Sequence, residues 1–229
     1  MNPSSKFLIL KQFELLADLS ESELNMLSNV AVFKRVLKGE HIYHEGDQVQ
    51  HVYLLEKGSV KLGSNTGEEK LLIKDIVHEQ SMFGENVFIE NETRLEFAEV
   101  LNDAKVFLVP IEFFKNLVHT NGNFAKQVLD LIVKRLRHLE ERVQNFVFKS
   151  AKDRIFDFII KTGKNRGIKI GLDECLINHG MSHSEIAFLT DTSRQTVARV
   201  LGELKRANLI HFSPRKPNKI LIRNLGSVA

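Results

Sequence analysis

The sequence has a single cysteine, Cys175, among its 229 residues. That excludes an intramolecular disulfide and any metal or iron–sulfur site built on four cysteines. Long hydrophobic runs are missing too: no apolar stretch approaches the roughly 20 residues that a membrane helix needs. The opening segment, "MNPSSKFLILKQFELL", has a short apolar patch broken by Lys11 and lacks a small-residue cleavage site, so secretion is not expected. There is no nucleophile elbow, no P-loop, and no pair of carboxylates or metal ligands at catalytic spacing. These absences predict a cytoplasmic protein that is not an enzyme and has no membrane partner. Hydrophobic residues make up 43% and charged residues 27%, enough for a core, and the length suits two domains of ordinary size.

There is also little net charge, +3 overall, but it is unevenly placed. Residues 150–229 hold 14 Lys+Arg against 7 Asp+Glu, which leaves 18 against 22 for residues 1–149. A basic C-terminal third on a slightly acidic remainder fits a polyanion-binding module joined to something else.

From about Val30 to Pro110 the chain is a succession of short alternating segments. Strands are expected at "AVFKRVL", "HIYHEG", "VYLLEKG", "SVKLGS", "EKLLIKDIV", "LEFAEVL" and "KVFLVP", punctuated by Gly39, Gly46-Asp47, Gly58 and "NTGEE". Many short strands at this spacing predict a small antiparallel barrel or roll. Ahead of them, Ser20 and Glu23 form a capping box that starts a helix.

After Pro110 comes the most regular stretch in the chain. Ala125, Leu129, Ile132, Leu136, Leu139, Val143 and Phe146 alternate in steps of four and three, a heptad seam. Arg135 and Glu140 fall at g and e, where they would pair across two parallel helices. A helix packed on its own roll would also need an apolar stripe, but the strictness of the repeat favours a homodimer interface.

From Ser150 the expectation is a further helix ("AKDRIFDFIIKTG"), a strand pair around "IKIGLDECLIN", two capped helices and a hairpin. The first capped helix starts at Ser182 with Glu185, the second at Thr192 with Gln195, and "LTDT" makes the tight turn between them. In the second, Val197, Val200, Leu201 and Leu204 share one side, whereas Arg194, Gln195 and Arg199 fall within an arc of roughly 140° on the other. This is a helix-turn-helix with a polar face at the start of its second helix. Arg forks onto guanine O6 and N7, and Gln onto adenine N6 and N7, so the three residues are read as base contacts in a DNA major groove. Ser182, His183, Ser193 and Thr196, with Thr192 beside them, are placed for phosphates. The tail "LIHFSPRKPNKILIRN" reads as a wing, with Lys216 and Lys219 as further phosphate contacts.

"SHSEIAFLTDTSRQTVARVLGELKRANLI", together with "LLADLSESELNML", "KGEHIYHEGD", "VYLLEKGSVKL" and "FGEN", resembles the CRP/FNR transcription regulators over about Leu16 to Ile222. The resemblance implies an α+β chain. Residues 1–120 would be an effector-sensing, cyclic-nucleotide-binding-type β-roll, 121–148 a dimerisation helix, and 149–229 a winged-helix DNA-binding domain. It further implies a bacterial homodimer on near-palindromic double-stranded DNA, with RNA polymerase as another partner. Family members usually carry Glu where this sequence has Gln195, so the base preference should change there from the usual TGA-type half-site.

For the effector, the resemblance puts Gly84, Glu85, Asn86, Arg94, Leu95 and Leu139 in the pocket. Gly84 and Glu85 match the ribose-binding pair of cyclic-AMP receptors and Arg94 the phosphate arginine. Leu95 stands where a hydroxyl is usual, Glu96 follows where a small residue is usual, and Leu139 and Glu140 replace the adenine-contacting groups. Cyclic AMP is therefore not the expected effector. Glu85 and Arg94 then become structural, as an internal ion pair. An iron–sulfur cluster lacks its cysteines. Haem stays an alternative because His41, His44, His51 and His78 lie in the roll, and an unidentified small molecule is another. His179 and His183 flank a helix start, but zinc held by that pair alone would be weak.

Overall fold

The computed structural model describes residues 1–66, 70–85, 93–171, 174–178, 182–213 and 216–223. Asn86 and His179 lie outside them, as do the side chain of Lys216 and most of the "NTGEE" turn. The chain forms two compact units, Met1–Leu136 and Arg137–Ala229.

The first unit opens with helices α1 (Pro3–Leu10) and α2 (Glu21–Val30), separated by a 3₁₀ turn at Glu14–Leu16. Asn2 caps α1 by accepting from the Ser5 amide, and Pro3 supplies the preset φ of a first turn. The predicted Ser20–Glu23 capping box starts α2. Among the described residues six antiparallel strands follow: β1 (Val32–Val36), β2 (His41–Tyr43), β3 (His51–Thr66), β4 (Lys70–His78), β5 (Ser81–Phe83) and β6 (Phe97–Pro110). They run in the order β1-β6-β3-β4, with β2 also on β6 and β5 also on β3.

Two pairs of expected strands prove continuous. "VYLLEKG" and "SVKLGS" are one strand, β3, and "LEFAEVL" and "KVFLVP" are one strand, β6. Gly58 does not reverse the chain. It sits at φ 99°, and the β3–β6 register shifts across it, so it is absorbed as a bulge in the long ladder. A Cβ there would lie 2.6 Å from the Asp103 carbonyl oxygen, so glycine is required by space as well as by φ.

Among its described residues the unit has two apolar clusters. One joins α1 and α2 to Val52, Leu54, Phe107 and Val109 of the sheet, and the other fills the roll with Leu55, Val60, Leu62, Val100 and Val106. Next come α3 (Ile111–Thr120) and the 27-residue α4 (Gly122–Phe148). Asn121 sets where α4 begins: its Oδ1 accepts from the Phe124 amide at 3.0 Å, and its Nδ2 donates to the Glu23 carboxylate at 3.0 and 3.2 Å. Hydrogen bonds from Ser20 and Asn121 hold the Glu23 carboxyl below its ordinary range.

The second unit contains the last turns of α4, then α5 (Ala151–Arg166), β7 (Ile168–Lys169), β8 (Cys175–Asn178), α6 (His183–Leu189), α7 (Arg194–Arg206), β9 (Ile210–Ser213) and β10 (Lys216–Ile222). Its sheet runs β7-β8-β10-β9, all antiparallel. Ile155, Ile159, Ile186, Val197, Val200, Ile210 and Ile220 form its core and are fully or almost fully buried. Cys175 is buried there as well, and desolvation raises its thiol pKa, so it behaves as a packed apolar group.

Candidate nucleic-acid interface and roll interior

Helices α6 and α7 are the predicted helix-turn-helix. Ser182 and Glu185 close the capping box of α6 as expected. The second cap falls one residue later than expected. The Thr192 amide donates to Ala187 O at 2.8 Å within the turn, and Ser193 is the N-cap, accepting from the Thr196 amide at 3.1 Å. Gln195 therefore lies at the second helical position and closes no capping box. Val197, Val200, Leu201 and Leu204 are at most 3% exposed, which pins α7 by one face and turns Arg194, Gln195 and Arg199 to solvent. Arg199 Nη1 donates to Glu203 Oε1 at 2.6 Å, and Lys152 Nζ lies 3.6 Å from the other carboxylate oxygen. The hydrogen bond from Arg199 leads in holding the Glu203 carboxyl below its ordinary value. Ser182 and Ser193 are exposed at the two helix starts, where free amides and the helix dipole favour an anion. His183 and Thr196 are half-buried next to them, and Lys219 is half-buried on β10.

Helix α4 carries two apolar stripes. Phe124 and Val128 are buried against the first unit's core, and Leu131 packs on it. The heptad seam lies on another side: apart from half-buried Ala125, its residues are open, from Ile132 at 38% to Val143 at 63% exposed. The roll therefore has its own stripe and leaves the seam uncovered. Arg135, expected to pair across a dimer, instead forms an ion pair with Glu85 and donates to Met82 O at 2.5 Å. Its side chain reaches back into the roll because it continues the Phe124–Val128–Leu131 side of the helix.

Beside its apolar cluster the roll buries polar side chains, Arg94 and Glu96 among them. Arg94 is 1% exposed. Its Nη1 donates to Gly84 O at 3.0 Å and its Nη2 to His51 O, while the guanidinium lies 4.4 Å from the Tyr43 ring centroid and 5.3 Å from that of Tyr53. Gly84 has φ 80°, and a Cβ on it would lie 2.9 Å from the Tyr53 ring. Glycine is thus what lets that carbonyl face Arg94. The expected Glu85–Arg94 pair does not form: Glu85 pairs with Arg135 and Arg94 with two carbonyls, and Glu85 Oε2 and Arg94 Nε have no partner among the described residues. Glu96 is also buried, accepting from the Tyr43 hydroxyl at 3.3 Å with Lys74 Nζ at 3.5 Å. Burial raises the Glu96 carboxyl pKa, and burial with the nearby Glu96 charge raises that of Tyr43 well above the ordinary phenol value. Leu95 is 44% exposed and Leu139 is 50% exposed on α4, so neither is buried in a pocket lining.

Of the roll histidines, His41 and His44 stack on each other at 4.4 Å, with Phe97 edge-on to His41. His51 lies beside Tyr53, and His78 pairs in register with Ser59. Among the described residues no group of three or more His, Cys, Asp or Glu could hold a metal ion, and no helix is long and apolar enough to cross a membrane.

An antiparallel roll, a long helix with an open seam and a winged helix-turn-helix define the architecture of a ligand-type roll joined to a DNA-binding module. Comparison with known proteins agrees. A family model described as a cyclic nucleotide-binding domain matches residues 33–121, and one described as a Crp-like helix-turn-helix domain matches residues 153–227. The chain belongs to the CRP/FNR family of transcription regulators. It is 29% identical to the global nitrogen regulator of Synechococcus elongatus over 183 residues, 78% of this chain and 81% of that protein. It is 22% identical to the anaerobic regulatory protein of Bacillus subtilis over 196 residues, 85% and 82% of the two chains. In fold it is similar to the c-di-GMP-responsive regulator CLP of Xanthomonas campestris, with TM-score 0.75, 18% identity, and 89% and 99% of the chains covered. FixK2 of Bradyrhizobium japonicum is similar at TM-score 0.74 and 22% identity, with 86% and 95% covered.

Proposed function

We propose that this chain is a sequence-specific regulator that binds near-palindromic DNA as a homodimer through α4, under the control of an effector in the roll that is not cyclic AMP. The observation that carries the DNA reading is the exposure of Arg194, Gln195 and Arg199 on the first turns of a helix whose opposite face is wholly buried. The open seam of α4, left over after the roll has taken its own stripe, supports the dimer. Two recognition helices about 34 Å apart would meet successive major grooves. RNA polymerase as a partner and a cytoplasmic location go with this reading.

The roll supports the negative half of the effector statement. Two nitrogens of the arginine and one oxygen of the carboxylate that would hold a cyclic phosphate and a ribose hydroxyl are engaged within the chain, Arg94 by Gly84 and His51 and Glu85 by Arg135, while Arg94 Nε and Glu85 Oε2 have no partner among the described residues. Leu95 adds no hydroxyl, and Glu96 adds an anion that would repel a phosphate. A cyclic nucleotide would have to break these contacts before making its own.

Selection from a random DNA pool with the purified chain, alongside its native mass, tests the proposal. The expected product is a two-fold site whose half-sites depart from TGA at the base pair facing Gln195, bound by a dimer. Recovery of the unaltered TGA-type half-site would refute the role of Gln195, and an unselected pool would refute the DNA reading. A thermal-shift titration with cyclic AMP should leave the melting midpoint unmoved; a saturable rise would refute the effector statement.

A further inference from the structure

The turn of the helix-turn-helix is held from outside by two arginines. Asp191, at its centre, has φ 50°, a left-handed conformation that Asp adopts more readily than most residues with a side chain. The surroundings over-determine it. Arg142, on the second-unit part of α4, donates through Nη2 to Asp191 Oδ1 at 2.8 Å and to Phe188 O at 3.4 Å. Arg154, on α5, donates through Nε to Thr190 O at 2.8 Å and through Nη2 to Asp191 O at 2.8 Å. Its remaining nitrogen, Nη1, donates to Lys149 O at 2.7 Å just after the end of α4, and its guanidinium lies 5.2 Å from the Phe146 ring centroid.

These contacts join the last turns of α4 to a turn whose centre, Asp191, lies three residues before α7 begins. Arg142 immediately precedes Val143 on α4 and lies one helical turn before Phe146, both of them seam residues. The Arg142 and Asp191 side chains are only 16% and 27% exposed, so their ion pair is partly shielded from solvent. Two guanidinium groups hold Phe188, Thr190 and Asp191 by carbonyls and a carboxylate, with fixed directions that a lysine could not impose.

We infer that Arg142, acting through Asp191, is a positioning residue for DNA recognition: it locks the recognition helix to the dimerisation helix and so sets the half-site spacing the dimer accepts. This rests on the dimeric DNA-binding reading above. A dimer discriminates spacing only if each recognition helix is rigid relative to the seam. One added base pair moves the second half-site by about 3.4 Å and turns it by about 34°, so a loose turn would tolerate what a locked one rejects.

The test uses the full-length chain, its selected DNA site, and the same site with one base pair added or removed at the centre. Wild type, Arg142→Gln, Asp191→Gly and the double variant are compared by binding titration, native mass and thermal melting. Asp191→Gly keeps a residue at ease with positive φ while removing the carboxylate, so the turn survives even if Arg142→Gln loosens the fold. The expected result is dimeric variants that bind the correctly spaced site roughly ten- to a hundredfold more weakly, the worth of one charge-assisted hydrogen bond. Both singles should lose most of the discrimination against altered spacing, and the double should be no worse than either. Wild-type spacing discrimination in Asp191→Gly, or losses that add in the double variant, would overturn the inference. Failure of the wild type to bind any selected site would overturn the underlying reading as well, and is seen separately in the first titration.

Discussion

Replacing Leu136 by alanine isolates the seam from every other role of α4. Leu136 is 54% exposed in the single chain, at the middle of the core position it shares with Leu129 and Val143. Fully burying a leucine side chain is worth about 1.5–3 kcal/mol, so covering roughly half of it is worth about 1 kcal/mol per protomer. A truncated side chain in a packed interface also leaves a cavity, and the change is present twice in a symmetric dimer. The dimer should weaken by about 2–4 kcal/mol, raising its dissociation constant roughly 30- to 700-fold. Alanine is at least as good a helix former as leucine, so α4 should stay helical. Sedimentation velocity over a dilution series reads the dissociation constant, and far-ultraviolet circular dichroism checks the helix. Leu131→Ala is the contrast: Leu131 packs on the first unit's core, so its truncation should lower the melting midpoint and leave the dissociation constant alone. If Leu136→Ala remained as dimeric as wild type while Leu131→Ala dissociated, the assignment of the two stripes would be wrong.

Arg199→Ala should cost about 1–3 kcal/mol at one base pair and relax the preference there; a loss equal across all sequences would contradict base reading. Lys219→Ala should weaken all DNA sites alike and flatten the dependence of log affinity on log salt by about one unit of slope, so an unchanged slope would remove Lys219 from the phosphate contacts. Glu96 carries a pH prediction. Because burial raises its folded pKa above the ordinary value of 4.5, the folded chain holds that proton more tightly than the unfolded chain. Its contribution to stability therefore declines as pH rises from about 4.5 through the folded value and stays low at neutrality. Glu96→Gln keeps an acceptor for the Tyr43 hydroxyl and cannot ionise, so its melting midpoint should exceed wild type at pH 7.5 and match it near pH 4. A lower midpoint at neutral pH would show that the Lys74 contact outweighs the burial.

The parts of this molecule that periodicity could show were those where one face of an element meets one environment. The recognition helix is such a case: four apolar residues at helical spacing are buried, and the three polar ones opposite them are exposed. Its cap was placed one residue early because Thr192 and Ser193 are both good capping residues. What decides between them is whether the Thr192 amide is already committed to the Ala187 carbonyl. Helix α4 shows the same boundary at a larger scale. A heptad count finds the seam, but the helix has a second stripe, and Arg135 belongs to that one. Counted only against the heptad it looks like a g-position charge reaching toward another chain, whereas its partner Glu85 stands 50 residues earlier on the roll.

Arg94 makes the point that matters most for function. Its place in the sequence aligns it with a phosphate-binding arginine, and the structure does set it inside the roll, 1% exposed. Whether a guanidinium can take an anion depends on what else it holds. Here two carbonyls, one 43 residues away along the chain, already accept from it, and two tyrosine rings lie alongside it. Two of its three nitrogens are engaged in this way, and its Nε has no partner among the described residues. The contacts of Arg94 and Glu85 are set by tertiary partners, His51 and Arg135, that stand far from them in the sequence. The same reasoning separates the two ends of the molecule. The polar residues of α7 lie on an exposed helix face that spacing alone finds, although Arg199 also bonds Glu203 within the helix; the partners of the roll residues come from distant parts of the chain.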